Sequence, residues 1–100
     1  MGETVSHLAN PPSALIDRVM LTGTQIRAAR ALLRWSTQAL AEAAQIGIAT
    51  VHRAEAVDDM PGMNARTLLK MKQAFEAAGV EFMDGPYSGN GGPGVRLTKG

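Results

Sequence analysis

Hydrophobic residues recur every three to four positions through the middle of the chain, and every second position after Gly79. The longer period is typical of amphipathic helices, whereas the shorter one is typical of strands. Residues that favour helix N-termini precede three of the helical stretches; these are Thr22 or Thr24, Ser36 and Asn64. The pattern predicts four helices, the first ending near Arg34 and the others covering about 37–44, 48–56 and 65–78.

Each predicted helix has one apolar side that we expect to face a shared core. The residues on these sides are Ile26, Ala29 and Leu33; Leu40 and Ala41; Val51 and Ala54; and Leu68, Met71, Phe75 and Ala78. Trp35, at the end of the first helix, is expected to pack beneath the fourth. Gly79 is expected to end the fourth helix in the left-handed conformation that glycine adopts without a steric penalty.

The segment after Gly79 alternates apolar and polar residues, which predicts two strands. Val80 and Phe82 alternate with Glu81 and Met83, and Val95 and Leu97 alternate with Arg96 and Thr98. We expect a hairpin with a long glycine-rich connection, whose apolar face rests on the fourth helix. Because a lone hairpin is marginal in water and has open edges, we also expect one edge to pair with a second copy of the chain.

The alanine-rich run STQALAEAAQIGIATVHRAE is interrupted at Gln45-Ile46-Gly47. One continuous helix would need no interruption there, so we predict two short helices held at an angle. Ala41 has a side chain small enough to let the two helices cross closely, while Ile46 and Val51 fill the angle between them. Gln45 is expected to have a positive φ, which costs a non-glycine residue only about 1–2 kcal/mol.

The composition indicates a small globular domain. The chain has 100 residues, of which 45% are hydrophobic and 19% charged, so extended disorder is not expected. It has no cysteine and only two histidines, and we therefore expect no disulfide, no metal site and no cofactor. No apolar run is long enough to span a membrane. The N-terminus lacks the pattern of a secretory signal, so we expect a cytoplasmic protein.

Three regions follow from these patterns: a partly flexible tail over 1–20, a helical domain over 21–79, and a hairpin with a tail over 80–100 as a candidate dimerisation element. The net charge of +1 is low for a nucleic-acid-binding domain. Its distribution matters more than its sum, because the stretch between Thr22 and Ala56 contains four arginines and two acids. The middle of the chain is therefore its basic part.

The stretch TQIRAARALLRWSTQALAEAAQIGIATVHRAEA resembles the Cro/phage-repressor type of helix-turn-helix, the XRE family. The matching features are the arginine of the first helix, Ser-Thr-Gln opening the second, Leu-Ala within it, Ile46, Thr50-Val51 and Glu55. The end of the chain is similar to short bacterial members with a C-terminal hairpin, and the resemblance covers about 21–98. It implies a mainly α fold, a lambda-repressor-like bundle of about four helices followed by a two-stranded β-hairpin.

The resemblance also implies roles for individual residues. It places Thr37 and Gln38 against the DNA backbone, and the start and exposed side of the third helix in the major groove; that face consists of Ile48, Ala49, Thr50, His52 and Arg53. Arg30 and Glu55 match a structural ion pair between the first helix and the end of the third. Candidate phosphate contacts are Arg27, Arg34 and Arg66, although for Arg27 and Arg34 a solvated helix face is the alternative.

These roles predict a sequence-specific transcriptional regulator that binds double-stranded DNA as a homodimer. The first alternative is an antiactivator or adaptor that binds another regulatory protein. Three features favour it: the acidic loop residues Asp58 and Asp59, the apolar Ile48 and the near-neutral net charge. An antitoxin-type autorepressor is a third reading. An enzyme is not expected, because no carboxylate pair, activated nucleophile or phosphate cradle occurs at a suitable spacing.

Overall fold

The computed structural model describes residues 20–83 and 93–98. In these ranges the chain forms four helices and two strands, namely α1 (Gly23–Leu33), α2 (Thr37–Ala44), α3 (Ile48–Glu55), α4 (Ala65–Ala77), β1 (Val80–Met83) and β2 (Gly94–Leu97). The strands form an antiparallel hairpin with Val80 opposite Leu97 and Met83 opposite Gly94. The predicted mainly helical fold with a C-terminal hairpin is confirmed at this level.

Two predictions concern segments outside the described residues. One is the flexible tail over 1–20, of which only Met20 is described, and the other is the glycine-rich connection between the strands. Within 20–83 and 93–98, no helix is long and apolar enough to cross a membrane.

Side-chain caps start three of the helices where the sequence predicts them. Thr22, rather than Thr24, caps α1 through a reciprocal pair: its Oγ1 accepts from the Gln25 N–H at 3.0 Å, and Gln25 Oε1 accepts from the Thr22 N–H at 2.9 Å. Ser36 Oγ accepts from the third N–H of its helix at 3.0 Å, and Asn64 Oδ1 accepts from the Arg66 N–H at 2.7 Å. These bonds satisfy donors that a helix N-terminus otherwise leaves free.

Several of the helices are followed by a residue whose backbone has the left-handed conformation. Arg34 has φ 57°, so α1 ends at Leu33, one residue before the predicted end. Gly79 has φ 99°, as expected after α4. The prediction for Ala78 was wrong: it is exposed rather than part of the buried stripe. It caps α4 with φ −90° and ψ 2°, where the chain has already left the helical path.

All four helices and β1 contribute to one core, and its buried hydrophobic residues are Leu21, Ile26, Ala29, Leu40, Ala41, Ala44, Val51, Ala54, Leu68, Met71, Phe75 and Val80. Phe75 of α4 lies at its aromatic centre. Its ring stacks on Trp35 with a centroid distance of 5.7 Å and meets the edge of Phe82 at 5.8 Å. The predicted position of Trp35 against the fourth helix is therefore confirmed.

The hairpin is held by two helices rather than by α4 alone. Strand β1 packs on α4, as expected, while β2 packs on α1. Gln25 of α1, only 2% exposed, donates through Nε2 to the carbonyl oxygens of Met83 and Gly94, both at 3.0 Å. Leu97 was expected on the covered apolar face but is 51% exposed, because it is the last residue of β2.

The first residue of α1, Gly23, packs directly against the backbone at the C-terminal end of α3, and the absence of a side chain permits this contact. A Cβ on Gly23 would lie 1.8 Å from the Val57 carbonyl oxygen and 2.7 Å from that of Ala54. The Gly23 N–H donates to the Asp59 carbonyl at 2.9 Å, and the Thr24 N–H to that of Asp58 at 3.4 Å. The loop after α3 thus accepts from the free donors of α1.

We predict that Gly23→Ala lowers the free energy of unfolding by about 3 kcal/mol, since the new methyl group meets rigid backbone on two sides. Gly62→Ala is the matched control: a Cβ there meets nothing within 4 Å, so we expect a change within about 0.5 kcal/mol. Urea unfolding of the three proteins measures both. Equal stability of Gly23→Ala and wild type would mean that α1 and the loop are further apart than described.

Candidate nucleic-acid interface

The turn between α2 and α3 has the backbone conformation that its sequence predicts. Gln45 is left-handed, with φ 58° and ψ 49°, and the Ile46 N–H donates back to the Ala41 carbonyl at 3.0 Å. The same arrangement ends α1, where Arg34 is left-handed and the Trp35 N–H donates to the Arg30 carbonyl at 2.9 Å. These bonds satisfy carbonyls at the helix ends and offset the cost of a non-glycine left-handed residue.

The inner side of α3 is anchored in the core. Val51 and Ala54 are fully buried, and Ala41 of α2 is buried in the same cluster. Ile46 in the turn is partly buried against that cluster. The predicted inward residues are therefore confirmed, and the direction of α3 relative to α2 is determined by packing as well as by the turn.

An ion pair anchors the far end of α3 to α1. Arg30 donates to the Glu55 carboxylate through Nε at 2.6 Å and Nη2 at 2.9 Å, so the contact is bidentate. The side chains are 23% and 10% exposed. The remaining fork nitrogen, Nη1, donates to the Trp35 carbonyl at 2.9 Å. The hydrogen bonds that Arg30 donates to the Glu55 carboxylate raise the pKa of the Arg30 guanidinium, and its burial partly offsets this increase.

Opposite these anchors, α3 presents an outward face with little packing. Ala49, His52 and Arg53 are exposed, and Ile48, at the first position of the helix, is 39% exposed. Thr50 is half-buried and accepts a long hydrogen bond of 3.5 Å from Arg53 Nη2. The face therefore combines one guanidinium, one imidazole and a small apolar surface at its N-terminal end.

The start of α2 adjoins this outward face. His52 Nε2 lies 3.4 Å from Thr37 Oγ1, which connects the exposed side of α3 to the first residue of α2. Gln38, one residue further, is exposed and donates to Glu42 Oε2 at 3.0 Å. Thr37 and His52 are thus in contact, as the predicted grouping of these residues requires. Glu42 adds a negative charge beside Gln38, so the positive potential of this surface is modest.

Arg27 lies elsewhere. Its guanidinium donates to the Glu55 and Val57 carbonyls and to the Asp58 carboxylate, the last at 2.7 Å. It therefore fastens the loop after α3 to α1, a role that sequence reasoning did not assign. Because its donors are used in this way, Arg27 is not among the phosphate contacts proposed below. The charge of Asp58 is partly compensated by the same bond.

Arg34 and Arg66 are exposed, at the end of α1 and in the first turn of α4. Arg34 precedes the N-cap of α2 by two residues, which places its backbone beside the start of that helix. Within the described part of the chain, neither side chain forms a hydrogen bond or an ion pair with the outward face of α3. Arg34 remains a candidate on grounds of sequence proximity, whereas nothing in the contacts of Arg66 connects it with that face.

A concave surface lies between α2 and α4, separate from the outward face of α3. It is a shallow groove of about 320 Å³, lined by Ala43, Ala44, Gln45, Lys70, Gln73, Ala74 and Ala77. Its walls are mostly small apolar side chains with a single lysine. The groove lacks the paired acids, nucleophile or cluster of donors that a catalytic or small-molecule site would need.

No protein-family model, no curated protein and no solved structure matches the chain.

We predict that Glu55→Ala destabilises the domain by about 2–3 kcal/mol, because it leaves the half-buried Arg30 fork without its carboxylate; exposed pairs contribute less and fully buried pairs more. Glu81→Ala is the control, since the Arg96–Glu81 pair of 2.9 Å lies on the surface, and its melting temperature should stay close to that of wild type. Thermal unfolding by circular dichroism tests both. If the two variants have the same melting temperature, the Arg30–Glu55 pair does not hold α3 in place.

Proposed function

We propose that the chain is a sequence-specific DNA-binding regulator that uses α2, the turn at Gln45 and α3 as a helix-turn-helix. In this proposal α3 enters the major groove and the start of α2 contacts the phosphate backbone. The residue pattern that resembles the XRE family supports the proposal, and membership of that family is part of it.

The observation that carries the proposal is the asymmetry of α3. One side is held by Val51, Ala54 and the Arg30–Glu55 pair, while the other side is left open. The open side carries an exposed arginine, Arg53, and an exposed isoleucine, Ile48, at the first position of the helix. A helix that is rigidly placed and unpacked on one side is what insertion into a groove requires.

The outward side chains suit distinct parts of a base-pair edge. Arg53 has a planar fork of donors that fits the O6 and N7 acceptors of guanine. Ile48 and Ala49 have no donor or acceptor, and in a major groove they are suited to the methyl group of thymine. Thr37 and Gln38 lie at the start of α2, and their polar side chains can donate hydrogen bonds to phosphate oxygens.

A protein-binding module, such as an antiactivator or adaptor, is the second candidate. The exposure of Ile48 and the groove between α2 and α4 favour it, because small apolar surfaces suit protein contacts. The net charge of +1 also gives little nonspecific attraction to DNA. The two candidates differ in whether a duplex alone binds the outward face of α3.

We predict that selection from random duplexes enriches a motif containing guanine and thymine. On the selected duplex, Arg53→Ala should reduce discrimination at one guanine by about 1–3 kcal/mol. Arg53→Lys should lose the same discrimination yet keep the salt dependence of binding, because it retains the charge but not the fork. Replacing thymine by uracil removes the methyl group and should weaken wild type but not an Ile48→Ser variant.

Lys70→Ala is the matched control, since it removes one positive charge from the groove between α2 and α4 rather than from α3. Its ranking of duplex variants should equal that of wild type. Binding should also weaken with salt at a logarithmic slope of about −0.9 per phosphate contact. Failure of wild type to enrich any motif at low salt would reject the proposal and favour the protein-binding alternative.

A further inference from the structure

The hydrogen bonds of the hairpin determine which backbone groups point outward. The Thr98 N–H donates to the Gly79 carbonyl at 2.7 Å, so these two residues form a hydrogen-bonded pair. Along an antiparallel ladder such pairs alternate with pairs that have no mutual bonds. With the observed register, Val95 and Leu97 fall in the second kind. Their N–H and C=O groups therefore face away from β1, along the outer edge of β2.

This edge also carries an exposed hydrophobic side chain. Leu97 is on the same face of the sheet as Val80 and Phe82, yet it is 51% exposed, whereas Val80 is fully buried. Among the described residues, no backbone hydrogen bond outside the hairpin uses the N–H or C=O groups of Val95 or Leu97. Proteins usually cover or protect such a strand edge, especially one that carries an exposed hydrophobic side chain.

We propose that the outer edge of β2 pairs with the same edge of a second copy of this chain, forming a continuous antiparallel sheet about a two-fold axis at Leu97. Two identical strands that pair in antiparallel fashion are necessarily related by such an axis. This inference does not depend on DNA binding.

Four registers centred on β2 are possible, one at each of its residues, and three are unfavourable. Axes at Gly94 and Val95 place Pro93 opposite Val95 and Leu97, respectively, where a bonded pair needs an N–H that proline lacks. An axis at Arg96 places the two Arg96 side chains directly opposite each other, and like charges in this position destabilise a sheet.

The axis at Leu97 avoids both problems. It pairs Leu97 with its own copy through outward-facing groups and places Arg96 opposite Thr98, so no like charges lie directly opposite each other. The two exposed leucines then cover each other on the core side of the sheet, while the Arg96–Glu81 pair stays on the opposite face.

Cysteine crosslinking tests the register, since the natural chain has no cysteine. In the proposed dimer the two residues at position 97 have Cα atoms about 5.5 Å apart, within the roughly 4.4–6.8 Å that a disulfide spans. The two residues at position 96 are diagonal, about 7–8 Å apart. Mild oxidation should therefore convert Leu97→Cys largely to a covalent dimer while Arg96→Cys stays mostly monomeric.

The reverse result, with Arg96→Cys crosslinking faster, would overturn the register. If neither variant crosslinks and wild type has the mass of a monomer in light scattering at all concentrations tested, the interface itself is rejected.

A charge placed on the edge tests the interface independently. Leu97→Lys should shift the light-scattering mass from that of a dimer towards that of a monomer, whereas Leu32→Lys on α1 should not. Leu32 is the matched control because it is also an exposed leucine, at 40%. Circular dichroism should show that both variants are folded. A dimeric Leu97→Lys protein would contradict the proposal.

Discussion

The bidentate contact between Arg30 and Glu55 is the interaction on which the arrangement of the helices depends. One guanidinium uses its three nitrogens to bind the last residue of α3 and the carbonyl of Trp35. It therefore joins α1, α3 and the connection to α2 at one point. Arginine suits this position because its donors lie in a rigid plane, whereas lysine would offer a single mobile point charge.

The backbone around this pair adds a second constraint in the same region. Gly23 allows the start of α1 to contact carbonyl groups at the C-terminal end of α3. The loop that follows α3 accepts hydrogen bonds from the first N–H groups of α1. Arg27 reinforces the loop from the side. With its C-terminal end held in this way and its inner side in the core, α3 has only its outward face free for a partner.

Local signals explain what could be predicted from the sequence. The caps at Thr22 and Ser36 and the left-handed turn at Gln45 depend on neighbouring residues, so the helix boundaries were predicted to within one or two positions. Some contacts between distant residues were predicted, such as Arg30 with Glu55 and Trp35 with the fourth helix, whereas others were not. Gln25 donates to carbonyl oxygens of residues 58 and 69 positions further along the chain. The spacing of Thr22 and Gln25 predicts the helix cap but does not indicate this second role.

The same limit applied at the candidate site. The spacing of Val51 and Ala54 predicted which side of α3 is buried, and hence which side is outward. Nothing in the spacing indicated that Arg27 would bind the loop after α3, or that Leu97 would lie exposed at the sheet edge. Those outcomes depend on how α1, the loop and the hairpin meet in three dimensions.

The proposed function assigns the open face of α3, together with the start of α2, to a DNA duplex. The most direct measurement is the change in amide chemical shifts of the ¹⁵N-labelled protein when a selected duplex is added. We expect the largest changes at Thr37, at Gln38 and along the outward residues of α3. Changes concentrated at the groove between α2 and α4, with the outward face of α3 unaffected, would contradict this assignment.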